Sequence, residues 1–238
     1  MVTIVSAFFS NVNKRNERNN DDYVNYGISL LKSNIQKIIF TDSEMYERIK
    51  DLENENTRIF LTKKEDIYMY EYIHTLENFN LNTTNASKDT IEFMFIMCNK
   101  TEVVRKAIEL NCFQTDQFVW IDFGIKHIFG PDFSDKVEQL KSRQYDKVRI
   151  ASIWNPNQLF CFDVYRDIAW YFAGGVFGGH KDYLLSFADK TKEMTLDIML
   201  NKKTIMWEVN VWYLIYLKHP ELFDWYSSDH NHTILDHY

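Results

Sequence analysis

Three short apolar runs, "VTIVSAFF" at 2–9, "KIIFTD" at 37–42 and "TRIFLT" at 57–62, constrain the fold more than any other feature of the chain. Each has the length of a strand and is apolar on both alternating faces, the pattern of a strand covered on both sides. The intervals between them have helical period. From Asp21, read as the N-cap, "DDYVNYGISLLKS" sets Tyr23, Tyr26, Ile28, Leu30 and Leu31 at helical spacing. Ser43 is placed to cap "EMYERIKDL", which keeps Met45, Ile49 and Leu52 on one face. Strands alternating with helices at this spacing define βαβ units, so the fold class is α/β with a mainly parallel central sheet flanked by helices.

Further along, aromatic spacing predicts a helix over 65–79, and 90–111 reads as one long helix. Its buried side is assigned to Phe95, Val103, Ala107 and Leu110, with Lys100 and Arg105 elsewhere. "FVWI" at 118–121 is the next strand, followed by "DKVRIASI" at 146–153, "QLFCFDVY" at 158–165, and "DIAWYFA" running as a strand into the glycines. Helices are predicted near 180–198 and 206–219. With 7 Gly and 3 Pro spread thinly, no linker is visible. One domain is expected over 1–238, a nucleotide-type βαβ half at 1–123 and a more irregular half at 124–238 that closes over it.

A net charge of −7 argues against a nucleic-acid surface, which needs clustered Lys and Arg to displace counterions. The 3 cysteines have no metal-like spacing and cannot form a closed disulfide framework. The apolar start lacks a basic n-region, and no apolar run approaches the ~20 residues of a membrane helix. The expectation is a soluble, cytoplasmic protein, with a homo-oligomer left open.

Two stretches carry chemistry. "FVWI" delivers Asp122 at the carboxyl end of a strand, where ligands sit in open α/β sheets; its bland reading is a capping aspartate. "GGVFGG" at 174–179 holds four of the 7 glycines, so it is either a packing device or the floor of a site where backbone must be approached closely. A floor reading puts a ligand against Gly174, Gly175 and Gly178, with Phe177 turned toward core or ligand, and implies that Gly175→Val folds but fails in function.

The run "VWIDFGIKHIF", preceded by "NKTEVVRKAIELNCF" and followed by "AGGVFGG" and "KHPELF", resembles the bacterial HtrL/YibB-type proteins, a family taken for glycosyltransferases. More distantly it is similar to the GT-A nucleotide-sugar transferases. The resemblance implies a GT-A-like, Rossmann-like fold, a nucleoside-diphosphate sugar donor with UDP favoured, a glycan or other hydroxyl-bearing acceptor, and a divalent cation, Mn²⁺ or Mg²⁺. Hard cations take oxygen ligands and neutralise charge on a departing diphosphate. Asp122 matches the first acid of the GT-A Asp-x-Asp motif, while Gly124 occupies the second. Other ligands must then complete a metal shell, among Asp229, His230, His232, His237 and His127, and His232 is assigned with Asp122.

By the same resemblance Lys100 faces the diphosphate or the acceptor, with Arg105, Arg15 and Arg18 as weaker candidates. Phe8, Phe9 and Asp42, at the ends of the first two strands, fall where base and ribose bind. Glu208 stands where an acidic helix residue meets the acceptor hydroxyl or acts as base, with Trp207 and Asn210 beside it and Phe177 and Gly178 also assigned to the acceptor, Gly174 and Gly175 to the donor. The rival readings are core packing for the phenylalanines, a dipole-favoured helix acid for Glu208, and for the whole chain a non-catalytic nucleotide-sugar-binding module or a nucleotidyltransferase.

Overall fold

The apolar runs assemble into a parallel ladder. In the computed structural model, which describes residues 1–12, 18–76, 83, 85–161 and 163–238, β1 (Val2–Phe8) pairs with β2 (Lys37–Thr41), and β2 with β3 (Thr57–Leu61), all parallel. On the other side of β1 lies β4 (Gln117–Ile121), also parallel. Then β6 (Phe172–His180) runs antiparallel between β4 and β5 (Val148–Ser152), and β7 (Phe223–Ser227) closes the edge parallel to β5. Among the described residues the sheet has seven strands in the order β3-β2-β1-β4-β6-β5-β7.

Period-2 alternation divides β4 between two cores. Phe118 and Trp120 face one layer, together with Val5, Phe40, Ile150 and Phe177, under α3 (Ile91–Cys98), α4 (Lys100–Leu110), α7 (Lys181–Asp197) and α8 (Glu208–Lys218). Val119 and Ile121 face the other, with Ile4, Ile39 and Val176, under α1 (Asn20–Lys32), α5 (Lys126–Phe129), α6 (Phe133–Gln139) and α9 (Thr233–Asp236). α2 (Ser43–Ile49) lies between β2 and β3 in the chain and buries Met45 and Ile49. Among the described residues no helix is long and apolar enough to cross a membrane.

Several local expectations are corrected. Asn19 caps α1 in a reciprocal capping box with Asp22, and Asp42 caps α2, so each N-cap falls one or two positions before the residue read from sequence. The long helix over 90–111 is two helices broken at Asn99 (φ −93°, ψ 3°), where the Asn99 side chain bonds the Phe95 carbonyl at 2.7 Å. That break turns Lys100 inward and leaves Leu110 exposed. The stretch 65–76 forms short 3₁₀ turns, and 77–79 lies outside the described residues. Residues 158–165 form no strand where described, and Leu159 there is 82% exposed.

The glycines, instead of following a strand, lie inside one. β6 is squeezed between β4 and β5, and a Cβ on Gly179 would fall 2.2 Å from the Lys147 carbonyl oxygen at a φ of +147° that side chains rarely adopt. The second glycine pair therefore answers a packing need.

Candidate functional site

The chain order reverses at β1: β2 and β3 lie to one side and β4 to the other. Such a switch point leaves a crevice at the carboxyl ends of the strands. A cavity of about 470 Å³ occupies it here. Its wall takes Ala7, Phe8 and Phe9 from the end of β1, Asp122 to Ile125 from the end of β4, and Ala173 to Gly175 from the start of antiparallel β6. The amino-terminal ends of α4 and α8 add Lys100, Trp207 and Glu208.

Asp122 is fixed from two sides. Its backbone N–H donates to the Gly175 carbonyl at 2.9 Å, and the Trp120 indole N–H donates to its Oδ1 at 2.7 Å. The Lys100 ammonium lies 2.9 Å from Oδ1 and 3.2 Å from Oδ2. The same ammonium is 2.9 Å from Glu208 Oε1 and 3.0 Å from the Gly174 carbonyl oxygen. Glu208 reaches this point because Gly174 has no side chain: a Cβ there would stand 2.3 Å from Glu208 Oε1. The first glycine pair thus serves the site.

Charge and burial oppose one another in this cluster. Burial works against the Lys100 charge, but Asp122 and Glu208 outweigh it and hold the ammonium protonated well above the ordinary lysine range. Burial raises the Asp122 carboxyl, the Lys100 charge pulls it back only in part, and the nearby Glu208 adds to the rise. The Asp122 side chain keeps 35% of its surface exposed, so it is the carboxylate more open to a ligand; Glu208 keeps 8%.

Of the residues singled out in the sequence, Phe8, Phe9, Arg18, Lys100, Asp122, Gly124, His127, Gly174, Gly175, Trp207, Glu208 and His230 line the cavity. The other described ones lie elsewhere. Both Asp42 oxygens hold the fold, Oδ2 accepting from Ser10 N at 2.6 Å and Ser10 Oγ at 2.7 Å, and Oδ1 from Met45 N at 3.0 Å. Phe177 is fully buried between Trp120 and Trp212, and Gly178 faces the Phe118 carbonyl and the Tyr238 hydroxyl. Asn210 is also fully buried, accepting from Ala169 N and donating to the Val164 and Asp167 carbonyls, each at 2.8 Å. These three positions are corrected from acceptor contacts to packing and loop anchorage.

His232 is exposed and pairs with Asp236 at 2.6 Å, whereas His230 lines the cavity, its ring edge-on to Trp170 with 4.3 Å between the ring centroids. Burial lowers the His230 pKa. Arg105 pairs with Glu102 and Asp189 away from the cavity. Arg15 lies outside the described residues, while Arg18 reaches the wall and bonds His127 Nε2 at 3.0 Å. His127 Nδ1 faces the Gly124 carbonyl at 2.7 Å, so the proton belongs on Nδ1 and Nε2 accepts from Arg18. Sequence reasoning missed Trp170 and Lys88. Trp170 sits in the apolar run ahead of the glycines, which reads as core, and Lys88 has no signal beyond its charge.

Among the described residues the divalent cation implied by the resemblance finds no ligand set: no three His, Cys, Asp or Glu side chains are grouped to hold a metal ion, and Asp122 and Glu208 are joined through Lys100.

Fold and site together define an α/β sheet protein with two carboxylates and a buried ammonium at a switch-point cavity. Residues 1–233 match the family described as "Bacterial protein of unknown function (HtrL_YibB)", and the chain belongs to that family. No curated protein matches the sequence. Two solved structures overlie most of the chain. One is a glycosyltransferase involved in glycosylation of the major capsid of PBCV-1, 12% identical, covering 96% of this chain and 81% of its own, TM-score 0.41. The other is 4-diphosphocytidyl-2C-methyl-D-erythritol synthase from Anaerococcus prevotii, 7% identical, covering 98% of this chain and 90% of its own, TM-score 0.45. At such distances the functional reading rests on the site itself.

Proposed function

We propose that the protein is a glycosyltransferase that moves a sugar from a nucleoside-diphosphate sugar, with a UDP-sugar as the first donor to test, to a hydroxyl-bearing acceptor. The observation that carries the reading is the convergence of Asp122 and Glu208, from β4 and α8, on one cavity at the carboxyl ends of the strands. Paired carboxylates in a crevice of this kind suit a reaction that needs one group to orient the donor and another to take a proton.

In this reading Phe8 and Phe9 flank the nucleoside. Asp122, held by Trp120 and Lys100, orients the donor's sugar or ribose hydroxyls. Glu208 accepts the proton of the acceptor hydroxyl as its oxygen bonds the anomeric carbon and the nucleoside diphosphate leaves. Arg18 and Lys88, on the same wall, meet the negative charge of that leaving group. The flat faces of Trp170 and Trp207 suit the C–H faces of sugar rings.

The test is a panel of nucleotide sugars followed by binding and by slow donor hydrolysis. One donor is expected to bind and to be hydrolysed, and Asp122→Asn to lower hydrolysis at least roughly a hundredfold. Absence of binding and hydrolysis across the panel overturns the proposal. Binding without turnover in the presence of any acceptor makes the protein a nucleotide-sugar-binding module instead.

A further inference from the structure

A buried lysine at the first residue of a helix is disfavoured twice. The helix amino terminus carries positive partial charge, and burial strips the ammonium of water. Lys100 opens α4 and is 2% exposed all the same. What holds it there is an oxygen cage: Asp122 at 2.9 and 3.2 Å, Glu208 Oε1 at 2.9 Å and the Gly174 carbonyl at 3.0 Å. An ammonium has three N–H donors, and three groups receive them.

The cage has the chemistry of a hard-cation site. Carboxylates and backbone carbonyls are the ligands that Mg²⁺ and Ca²⁺ select. Around Lys100 they are held in place by their neighbours. Gly174 lacks the Cβ that would strike Glu208, and the Trp120 indole N–H fixes the rotation of Asp122. One position cannot hold both an ammonium and a metal ion, since both would take the same oxygens at bonding distance.

We propose that Lys100 is the resident cation of this site, standing in the place of a divalent ion, and that donor binding and transfer need no metal. Donor binding and transfer rest on the glycosyltransferase reading; the occupancy of the cage stands without it. With both carboxylates ionised the cluster has a net charge of −1, so it does not attract a diphosphate. Lys100 is therefore a positioning residue that holds Asp122 and Glu208 at a fixed separation, and the diphosphate is met by Arg18 and Lys88 on the same wall.

The experiment titrates Mn²⁺ into the full chain, following the free ion by electron paramagnetic resonance and the protein by thermal shift. Wild type is expected to show no stoichiometric site. Lys100→Ala empties the cage and is expected to gain one Mn²⁺ site at least roughly tenfold tighter than any wild-type binding, and adding Asp122→Asn to that variant removes the gain. One Mn²⁺ per wild-type chain, abolished by Asp122→Asn, overturns the inference. So does a folded Lys100→Ala that gains no site. If Lys100→Ala does not fold, the wild-type titration still decides. Where a donor is turned over, the wild-type rate is expected to survive chelation by EDTA, and a loss restored by Mn²⁺ also overturns the inference. If no nucleotide sugar is turned over, the glycosyltransferase reading alone fails, and the Mn²⁺ titration continues to judge Lys100.

Discussion

Gly174 and Gly179 belong to one strand and meet different needs. A methyl at Gly174 would stand 2.3 Å from Glu208 Oε1, the far end of a side chain, so Gly174→Ala is expected to push the carboxylate off Lys100. Donor hydrolysis should fall in protein that remains folded. A methyl at Gly179 would stand 2.2 Å from a backbone oxygen at positive φ, and Gly179→Ala should cost at least about 1–3 kcal/mol in urea unfolding. The reverse pattern would refute the division of the glycines into a site pair and a packing pair. Lys37, at the opposite end of the sheet from the cavity, is the other residue with a measurable signature. It is fully buried, donates to the Ser33 carbonyl at 2.7 Å and Thr57 Oγ1 at 3.2 Å, and burial pushes its pKa down to about 8. The unfolded chain, with a lysine pKa of about 10.4, then binds more protons across the interval between the two values. Stability from this group therefore rises with pH from about 8 to about 10 and is flat below that range. Urea unfolding at several pH values should show a steeper rise in wild type than in Lys37→Met, and equal slopes would remove Lys37 as the cause.

At the scale of elements, α8 does two things from its first turn: Glu208 faces the cavity while Asn210 ties down the chain ahead of β6 through Ala169, Val164 and Asp167. Asn210→Ala removes all three bonds and leaves the buried Ala169 N–H without its acceptor, at a cost of about 1–3 kcal/mol where water cannot replace the bond. Amide exchange is expected to quicken at Ala169, and unchanged exchange there would show that the asparagine does not anchor the segment. The element pattern also explains what was legible in the sequence. β1 to β4 and α1 could be read because each is decided locally, by an apolar run or a helical period, and Asp122 followed from its place at a strand end. β6 could be read only at its start, in "DIAWYFA", since glycine has low strand propensity and nothing local shows that Gly178 and Gly179 lie where the neighbouring chain excludes a Cβ. The break at Asn99 was hidden because the apolar period continues across it, and with it the burial of Lys100. Lys100 and Glu208 were each visible as a residue type, but they lie 108 residues apart, and nothing local records that their side chains meet.

At the scale of the whole molecule, the division into a nucleotide-binding half and an acceptor half is one of chain order, and the sheet runs through both. β4 ends the first half, yet its antiparallel neighbour is β6 from the second, from Gln117 opposite His180 to Ile121 opposite Val176. Both hydrophobic layers likewise mix the halves, Phe118 and Trp120 packing with Phe177 and Trp212 on one face and Val119 and Ile121 with Val176 on the other. The edge of β4 and both of its faces would be exposed if the second half came away, so the two halves should unfold together. The distribution of tryptophan makes this measurable. All 6 tryptophans lie from Trp120 onward, so their fluorescence reports β4 and the second half, whereas far-ultraviolet circular dichroism reports both halves. The two signals are expected to give one coincident urea transition with the same midpoint and slope. A fluorescence change that runs ahead of the loss of circular dichroism would show that residues 1–123 hold together without the rest, and that the cavity lies between separable units instead of within one sheet.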